Sequence, residues 1–164
     1  MASVFLLLVC VGTLLGSAGA QEAYDRLPSK FKLGVDMALE MRNSRAGVKR
    51  LLLYFKGLGQ SDIQPGNDVT YIYHNFYMKA TQCPKGTVDT SNCPFRNIKP
   101  EIDCAICYKT IAGKIQASPK PYINCIRKPA LTEAMKRKRV NYCNEMGYSS
   151  GAPGGLADIG DTYF

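Results

Sequence analysis

Hydrophobic and polar side chains alternate along several stretches of the chain, which is the pattern of half-buried β-strands. The clearest stretch is 69–80, where Ile72, Phe76 and Met78 share one face and several tyrosines share the other. Its many β-branched and aromatic residues favour a long, twisted strand. The predicted antiparallel strands cover residues 48–58, 69–80, 102–109 and 122–127, with turns at 64–68 and 116–121.

A helical pattern precedes these strands. Apolar residues recur every three or four positions over residues 24–43, as on one face of an α-helix, and Pro28 suits its start. Gly34 costs about 1 kcal/mol relative to alanine in a helix interior, unless close packing against the sheet requires it. We therefore predict an α+β fold, with one N-terminal helix packed on a four-stranded antiparallel sheet.

The first 20 residues have the pattern of a signal peptide. Residues 5–11 are an apolar core, and Ser17-Ala18-Gly19-Ala20 ends in the small-x-small pattern that precedes cleavage after Ala20. A membrane anchor is the alternative, but the run is short for a spanning helix and is interrupted by glycines. We expect a secreted, extracellular protein with one domain over residues 21–146.

Six of the seven cysteines lie between residues 83 and 143, which allows 15 pairings. Cys104 and Cys107 are three residues apart on one predicted strand, so they point to opposite faces and cannot pair with each other. A bridge between the first two cysteines would close a local loop. A bridge between Cys104 and Cys125 would join the neighbouring strands 102–109 and 122–127. The predicted bridges are Cys83–Cys93, Cys104–Cys125 and Cys107–Cys143.

Charge is distributed unevenly along the chain. There are 21 Lys and Arg against 13 Asp and Glu, and the residues after Cys143 contain three acids and no base. A basic body over residues 21–143 would be drawn to heparan sulfate or anionic membranes; nucleic acid is a poor candidate for a secreted chain. A helical segment over 129–141 carries the densest basic run, which we interpret as a solvated or polyanion-binding face rather than a dibasic processing site. This run is Lys136, Arg137, Lys138 and Arg139.

Catalytic chemistry has little support in the sequence. The C-x-x-C spacing of Cys104 and Cys107 falls in a strand, whereas a redox motif sits at a helix N-terminus and a zinc site needs a second pair of ligands. His74 is the only histidine, and its strand position favours a buried, hydrogen-bonded structural residue. We expect no catalytic residues, no metal and no cofactor.

Residues 147–164 differ in composition from the rest of the chain. Five glycines and one proline in this segment predict a flexible tail. Its aromatic residues Tyr148, Tyr163 and Phe164, with Leu156 and Ile159, make it a candidate peptide ligand.

Several of these segments together resemble the chemerin family, particularly the chemerins of fishes. The helix and the first two disulfides are shared with cathelicidins and other relatives of cystatin, so the third disulfide and the tail are the more specific features. The segments that carry the resemblance are the signal peptide, Gly34–Glu40, Phe76–Cys83, Asp103–Lys109, Pro121–Pro129, Cys143 and the short tail.

The resemblance implies a cystatin-like fold and a signalling function. Extracellular serine proteases would trim the C-terminus of a secreted precursor, and the new end would activate a G-protein-coupled chemoattractant receptor. Roles in chemotaxis, inflammation and adipocyte regulation follow from the resemblance. We also expect a monomer. The receptor-facing residues implied by position are Tyr148, Ser149, Ser150, Gly151, Ala152, Pro153, Gly154, Gly155, Leu156 and Ala157.

The tail contains no Lys or Arg, so we predict trimming by elastase-like or chymotrypsin-like enzymes near Leu156, Ala157 or Ile159. Two other functions remain open. A cystatin-type protease inhibitor needs a Gln-x-Val-x-Gly hairpin wedge, which residues 56–60 do not supply. A cathelicidin-like antimicrobial precursor needs a cationic tail, and this tail is acidic, although the basic body leaves bactericidal activity open.

Overall fold

The computed structural model describes residues 20–148, with the side chains of residues 21–147. A 3₁₀ turn over Lys128–Ala130 precedes the last helix. The elements in chain order are α1 Ala20–Asp25, α2 Ser29–Asn43, β1 Arg50–Gly66, β2 Val69–Pro84, β3 Ile102–Ile111, β4 Lys114–Ile115, β5 Tyr122–Arg127 and α3 Glu133–Tyr148.

One antiparallel sheet of five strands forms the centre of the fold. β2 pairs with β1 on one side and with β3 on the other, and the far edge of β3 pairs with β4 and β5. The β1–β2 hairpin closes through Asn67 and Asp68, whose φ angles of 52° and 59° give the left-handed geometry of a tight two-residue turn. The α+β prediction and the antiparallel sheet are confirmed; β4 is the additional strand.

The two faces of the sheet are covered by different helices. α2 packs its apolar side on one face, where Phe31, Val35 and Ala38 meet Phe76 and Ile106 in the main core. α3 covers part of the opposite face with a smaller cluster around Cys143. The alternation predicted for β2 therefore divides its side chains between two cores.

Three element boundaries differ from the prediction. The N-terminal helix is interrupted before Pro28, which has the extended dihedral angles φ −56° and ψ 143°, because the residue before a proline is disfavoured in helical geometry. β1 continues past Leu58 to Gly66 because the long β2 strand supplies pairing partners along its whole length. α3 extends beyond residue 141, so Gly147 and Tyr148, which the sequence assigns to the tail, belong to this helix.

Three disulfides connect the predicted cysteine pairs. Cys104 and Cys125 lie directly opposite each other in the β3–β5 register. Cys104 belongs to the main core and Cys107 to the smaller cluster on the opposite face. The bridges are Cys83–Cys93, Cys104–Cys125 and Cys107–Cys143.

Gly34 is the point of closest approach between α2 and the sheet. Its backbone N–H donates to the Tyr108 hydroxyl at 3.1 Å, and that hydroxyl donates to the Lys30 carbonyl one turn earlier in α2. A Cβ atom at this position would lie less than 3.0 Å from Ile106 Cδ1 and Tyr108 Cε1. Close packing therefore explains a glycine in the middle of this helix.

We expect the Gly34→Ala variant to be less stable than the parent protein, despite the better helix propensity of alanine. Overpacking costs about 1–3 kcal/mol, and two contacts this short place Gly34→Ala at the upper end of that range. The propensity gain of about 1 kcal/mol therefore offsets only part of the cost. Urea unfolding measures the difference. Gly59→Ala is the matched control, because nothing lies within 4 Å of its Cβ position. Equal stability of the Gly34→Ala variant and the parent would contradict this packing.

Candidate functional site

α3 is fastened to the outer face of the sheet, and this arrangement is the candidate functional site. The Cys107–Cys143 disulfide joins the helix to β3, and both cysteines are fully buried. Val140 and Met146 lie on the same side of the helix and belong to the cluster around this bridge. The sheet residues of that cluster are Tyr71, Tyr73, Ala105 and Cys107.

A buried ion pair provides a second attachment. The Arg139 Nη1 atom lies 2.6 Å from Asp103 Oδ1, and the two side chains are only 4% and 8% exposed. Arg139 also donates from Nη2 to the Asp103 carbonyl at 3.0 Å and from Nε to the Asn124 side chain at 2.8 Å. Asn75 donates to the same Asp103 oxygen at 2.9 Å. The pair is thus hydrogen-bonded on both sides, as a buried charge requires.

This ion pair corrects the prediction that all four residues of the basic run form a polyanion-binding face. The Arg139 guanidinium is turned inward to Asp103 and cannot reach a ligand in solvent. Lys136 pairs with Glu133 at 2.8 Å on the helix surface, and that hydrogen bond raises the pKa of Lys136. Arg137 and Lys138 are exposed and make no ion pair with the described residues. The basic surface of α3 therefore consists chiefly of Arg137 and Lys138.

α3 is the element at which the described part of the chain ends. The helix ends at Tyr148, five residues after the bridged Cys143. Of the predicted receptor-facing residues 148–157, Tyr148 is the last residue of α3. Residues 149–157 and the predicted trimming positions Leu156, Ala157 and Ile159 lie outside the described residues. The predicted cleavage after Ala20 falls at the first residue of α1.

His74 lies in the main core between aromatic rings, fully buried. Its ring is 4.8 Å from that of Phe76, 5.4 Å from Phe31 and 5.9 Å from Tyr54. The prediction of a hydrogen-bonded histidine is wrong, because neither ring nitrogen has a partner among the described residues. Burial lowers the pKa of His74 to about 4, so the imidazole is neutral at pH 7.

The described residues contain no group of three or more His, Cys, Asp or Glu side chains placed to hold a metal ion. Between residues 20 and 148, none of the helices is long and apolar enough to cross a membrane. No family model matches this chain, and no curated protein is similar to it.

The ion pair under α3 is the feature that the sequence interpretation missed. Arg139 precedes Cys143 by four residues, so the two share a face of an α-helix. A helix oriented with Cys143 against the sheet therefore also has Arg139 against the sheet, and it leaves Arg137 and Lys138 in solvent. No comparable signal in the sequence identifies Asp103 as its partner.

Proposed function

We propose that this chain is a secreted signalling precursor of the chemerin kind. A cystatin-like body, closed by three disulfides, holds the C-terminal residues 149–164 for a G-protein-coupled chemoattractant receptor. Extracellular serine proteases trim this segment and thereby change its activity. Chemotaxis, inflammation and adipocyte regulation are the processes in which such a ligand acts.

The attachment of α3 to the sheet is the observation that carries this proposal. A disulfide and a buried ion pair both hold the helix, although it buries only a small apolar cluster. Such attachment keeps the start of the C-terminal segment at a fixed position on the body. A segment rich in glycine, with aromatic and aliphatic residues near its end, then supplies the receptor-binding side chains.

Receptor activation by a truncation series tests this function. The full chain and chains ending at Leu156, Ala157 and Ile159 would be compared on cells that express a chemerin-type receptor, with calcium release as the readout. We expect at least one truncated chain to differ from the full chain by about tenfold in potency, which corresponds to about 1.4 kcal/mol of binding free energy.

The series has two controls. Cells without the receptor should not respond, and circular dichroism should give the same melting temperature for every chain, because the changes lie outside the described body. Equal potency of all four chains, or equal responses in cells that lack the receptor, would refute the proposed function.

We predict that plasmin alone does not trim the tail. Trypsin-like enzymes cleave after Lys or Arg, and the last basic residue in the chain is Arg139. Intact-mass spectrometry after incubation with plasmin or with elastase measures the products, and elastase should release fragments that end near Leu156, Ala157 or Ile159. A tail-trimmed product that appears with plasmin alone would contradict the prediction.

A second candidate function is binding to anionic membranes, as in cathelicidin-like host defence. The exposure of Arg137 and Lys138 on the outer side of α3 favours it. Sedimentation with vesicles containing phosphatidylglycerol tests it, and binding should weaken in the Arg137→Gln, Lys138→Gln variant and with added salt. Lys114→Gln, Lys120→Gln is a control with the same loss of charge at exposed positions. Equal binding of the two variants would show that α3 is not the membrane-binding surface.

A further inference from the structure

Arg42 is a buried arginine without an ionic partner. It lies in the last turn of α2, on the side that faces the sheet, and its residue is only 9% exposed. Its Nε atom is buried and has no hydrogen-bond partner among the described residues. Among residues 20–148, no carboxylate forms a salt bridge with Arg42. A buried, positively charged N–H group without an acceptor is costly unless a ligand supplies one.

Two further arginines lie at the same end of the molecule. Arg45 follows Arg42 by three residues, and its N–H bonds to the Arg42 carbonyl at 3.4 Å, so the helical turn continues and brings the two close together. α2 begins over Tyr108. Its last residue, Asn43, bonds to Leu52, which pairs with Ala80 two residues from Met78, the partner of Ile102 at the opposite end of β3. Ile102 is the register partner of Arg127, the last residue of β5.

The electrostatics agree with this placement. Burial lowers the pKa of Arg42, and the positive charges of Arg45 and Arg127 lower it further. No carboxylate of the described residues contributes to this shift. Arg45 and Arg127 are exposed, so one side of the cluster is open to solvent. Three positively charged side chains thus lie close together, with Arg42 buried on one side and Arg45 and Arg127 open to solvent on the other.

We propose that Arg42, Arg45 and Arg127 form a binding site for a single sulfate or phosphate group. Guanidinium groups present planar pairs of N–H donors that match the oxygen atoms of such anions. The ligand would enter from the exposed side of Arg45 and Arg127, accept from Arg42, which no carboxylate holds, and neutralise the repulsion among the three residues. The site is separate from α3 and does not depend on the proposed signalling function. A free inorganic ion and the sulfo group of a glycan share the required chemistry.

Thermal unfolding in sodium sulfate and in sodium chloride at matched ionic strength tests the site. Sulfate stabilises proteins in general, so the informative quantity is the difference between variants. At about ten times the dissociation constant, the parent should gain about 4 °C more in melting temperature than the Arg45→Gln, Arg127→Gln variant. Lys114→Gln, Lys120→Gln should behave like the parent, because it loses the same charge at other exposed positions. The same gain in all three proteins would overturn the proposal.

A direct measurement does not depend on those variants. The Arg42 Nε–Hε signal in a ¹⁵N NMR spectrum, assigned by its loss in Arg42→Lys, should shift saturably on titration with a suitable anion. A shift with inorganic sulfate or phosphate identifies a free ion as sufficient. A shift only with a heparin-derived disaccharide identifies the sulfo group of a glycan. The absence of a saturable shift with all three probes would reject the site.

Discussion

Replacing Arg139 with methionine is expected to lower the free energy of unfolding by about 3–5 kcal/mol, because the change leaves the Asp103 carboxylate buried without its cation. Asp103 would keep the hydrogen bond from Asn75 but lose the guanidinium at 2.6 Å. Urea unfolding at pH 7 with intact disulfides measures the loss. Lys138→Met is the matched control, since this exposed neighbour should change stability by no more than about 0.5 kcal/mol.

A double-mutant cycle separates the ion pair from simple packing. The combined change Asp103→Leu, Arg139→Met removes both charges together, so the double variant should recover much of the stability lost in the single variant. The cycle also needs the Asp103→Leu single variant. A stability loss in the double variant equal to the sum of the losses in the two single variants would contradict a buried ion pair. So would equal stability of Arg139→Met and Lys138→Met.

Acidification is expected to destabilise the protein through His74. The pKa of His74 is about 4 in the folded protein, against an ordinary value of 6.5, because burial disfavours the charged ring. Above pH 6.5 the histidine is neutral in both states and costs no stability. As the pH falls from about 6.5 to 4, the unfolded chain takes up the proton first, and about 3 kcal/mol of stability is lost.

The His74→Phe variant isolates this effect from the titration of carboxylates. Phenylalanine preserves the contacts with Phe31, Tyr54 and Phe76 and has no group to protonate. Urea unfolding between pH 7 and pH 4 should show a smaller loss in the variant, by about 3 kcal/mol. His74→Leu serves as a second replacement should the larger ring fit poorly. Parallel pH profiles for the parent and both variants would show that His74 does not titrate as described.

The sheet and the two bridges of β3 follow from alternation, because the faces of a strand are fixed by the geometry of the chain. Cys104 and Cys107 had to point to opposite faces, and the structure joins each to a different partner. A glycine within a helix costs stability unless close packing requires it, and Ile106 and Tyr108 provide that packing at Gly34. Local patterns were sufficient for these features.

Contacts between distant segments determined the features that the sequence did not predict. The end of β1 at Gly66 depends on pairing with β2, and this pairing outweighs the weak strand propensity of the glycines within it. The role of Arg139 depends on Asp103, which is 36 residues away in the chain. The four residues of the basic run are chemically similar in sequence, but in the helix Arg139 is buried against the sheet while Arg137 and Lys138 are exposed.

In the proposed signalling function, the two parts of the chain have separate roles. The sheet, its two covering helices and the three disulfides form a stable base, and α3 fixes the position at which the remaining residues begin. The basic residues of α3 also have separate roles, since Arg139 holds the helix to the sheet while Arg137 and Lys138 face solvent. In the proposed signalling function, receptor activation resides in the C-terminal residues and the basic surface is dispensable.

Receptor potency tests that division most directly. Three chains would be compared on the same receptor-expressing cells: the full chain, the chain ending at Ala157, and the full chain with Arg137→Gln and Lys138→Gln. The account predicts a change in potency of about tenfold for the shortened chain and none for the variant with the altered basic surface. An unchanged response to the shortened chain, together with a loss of response in the Arg137→Gln, Lys138→Gln variant, would contradict it.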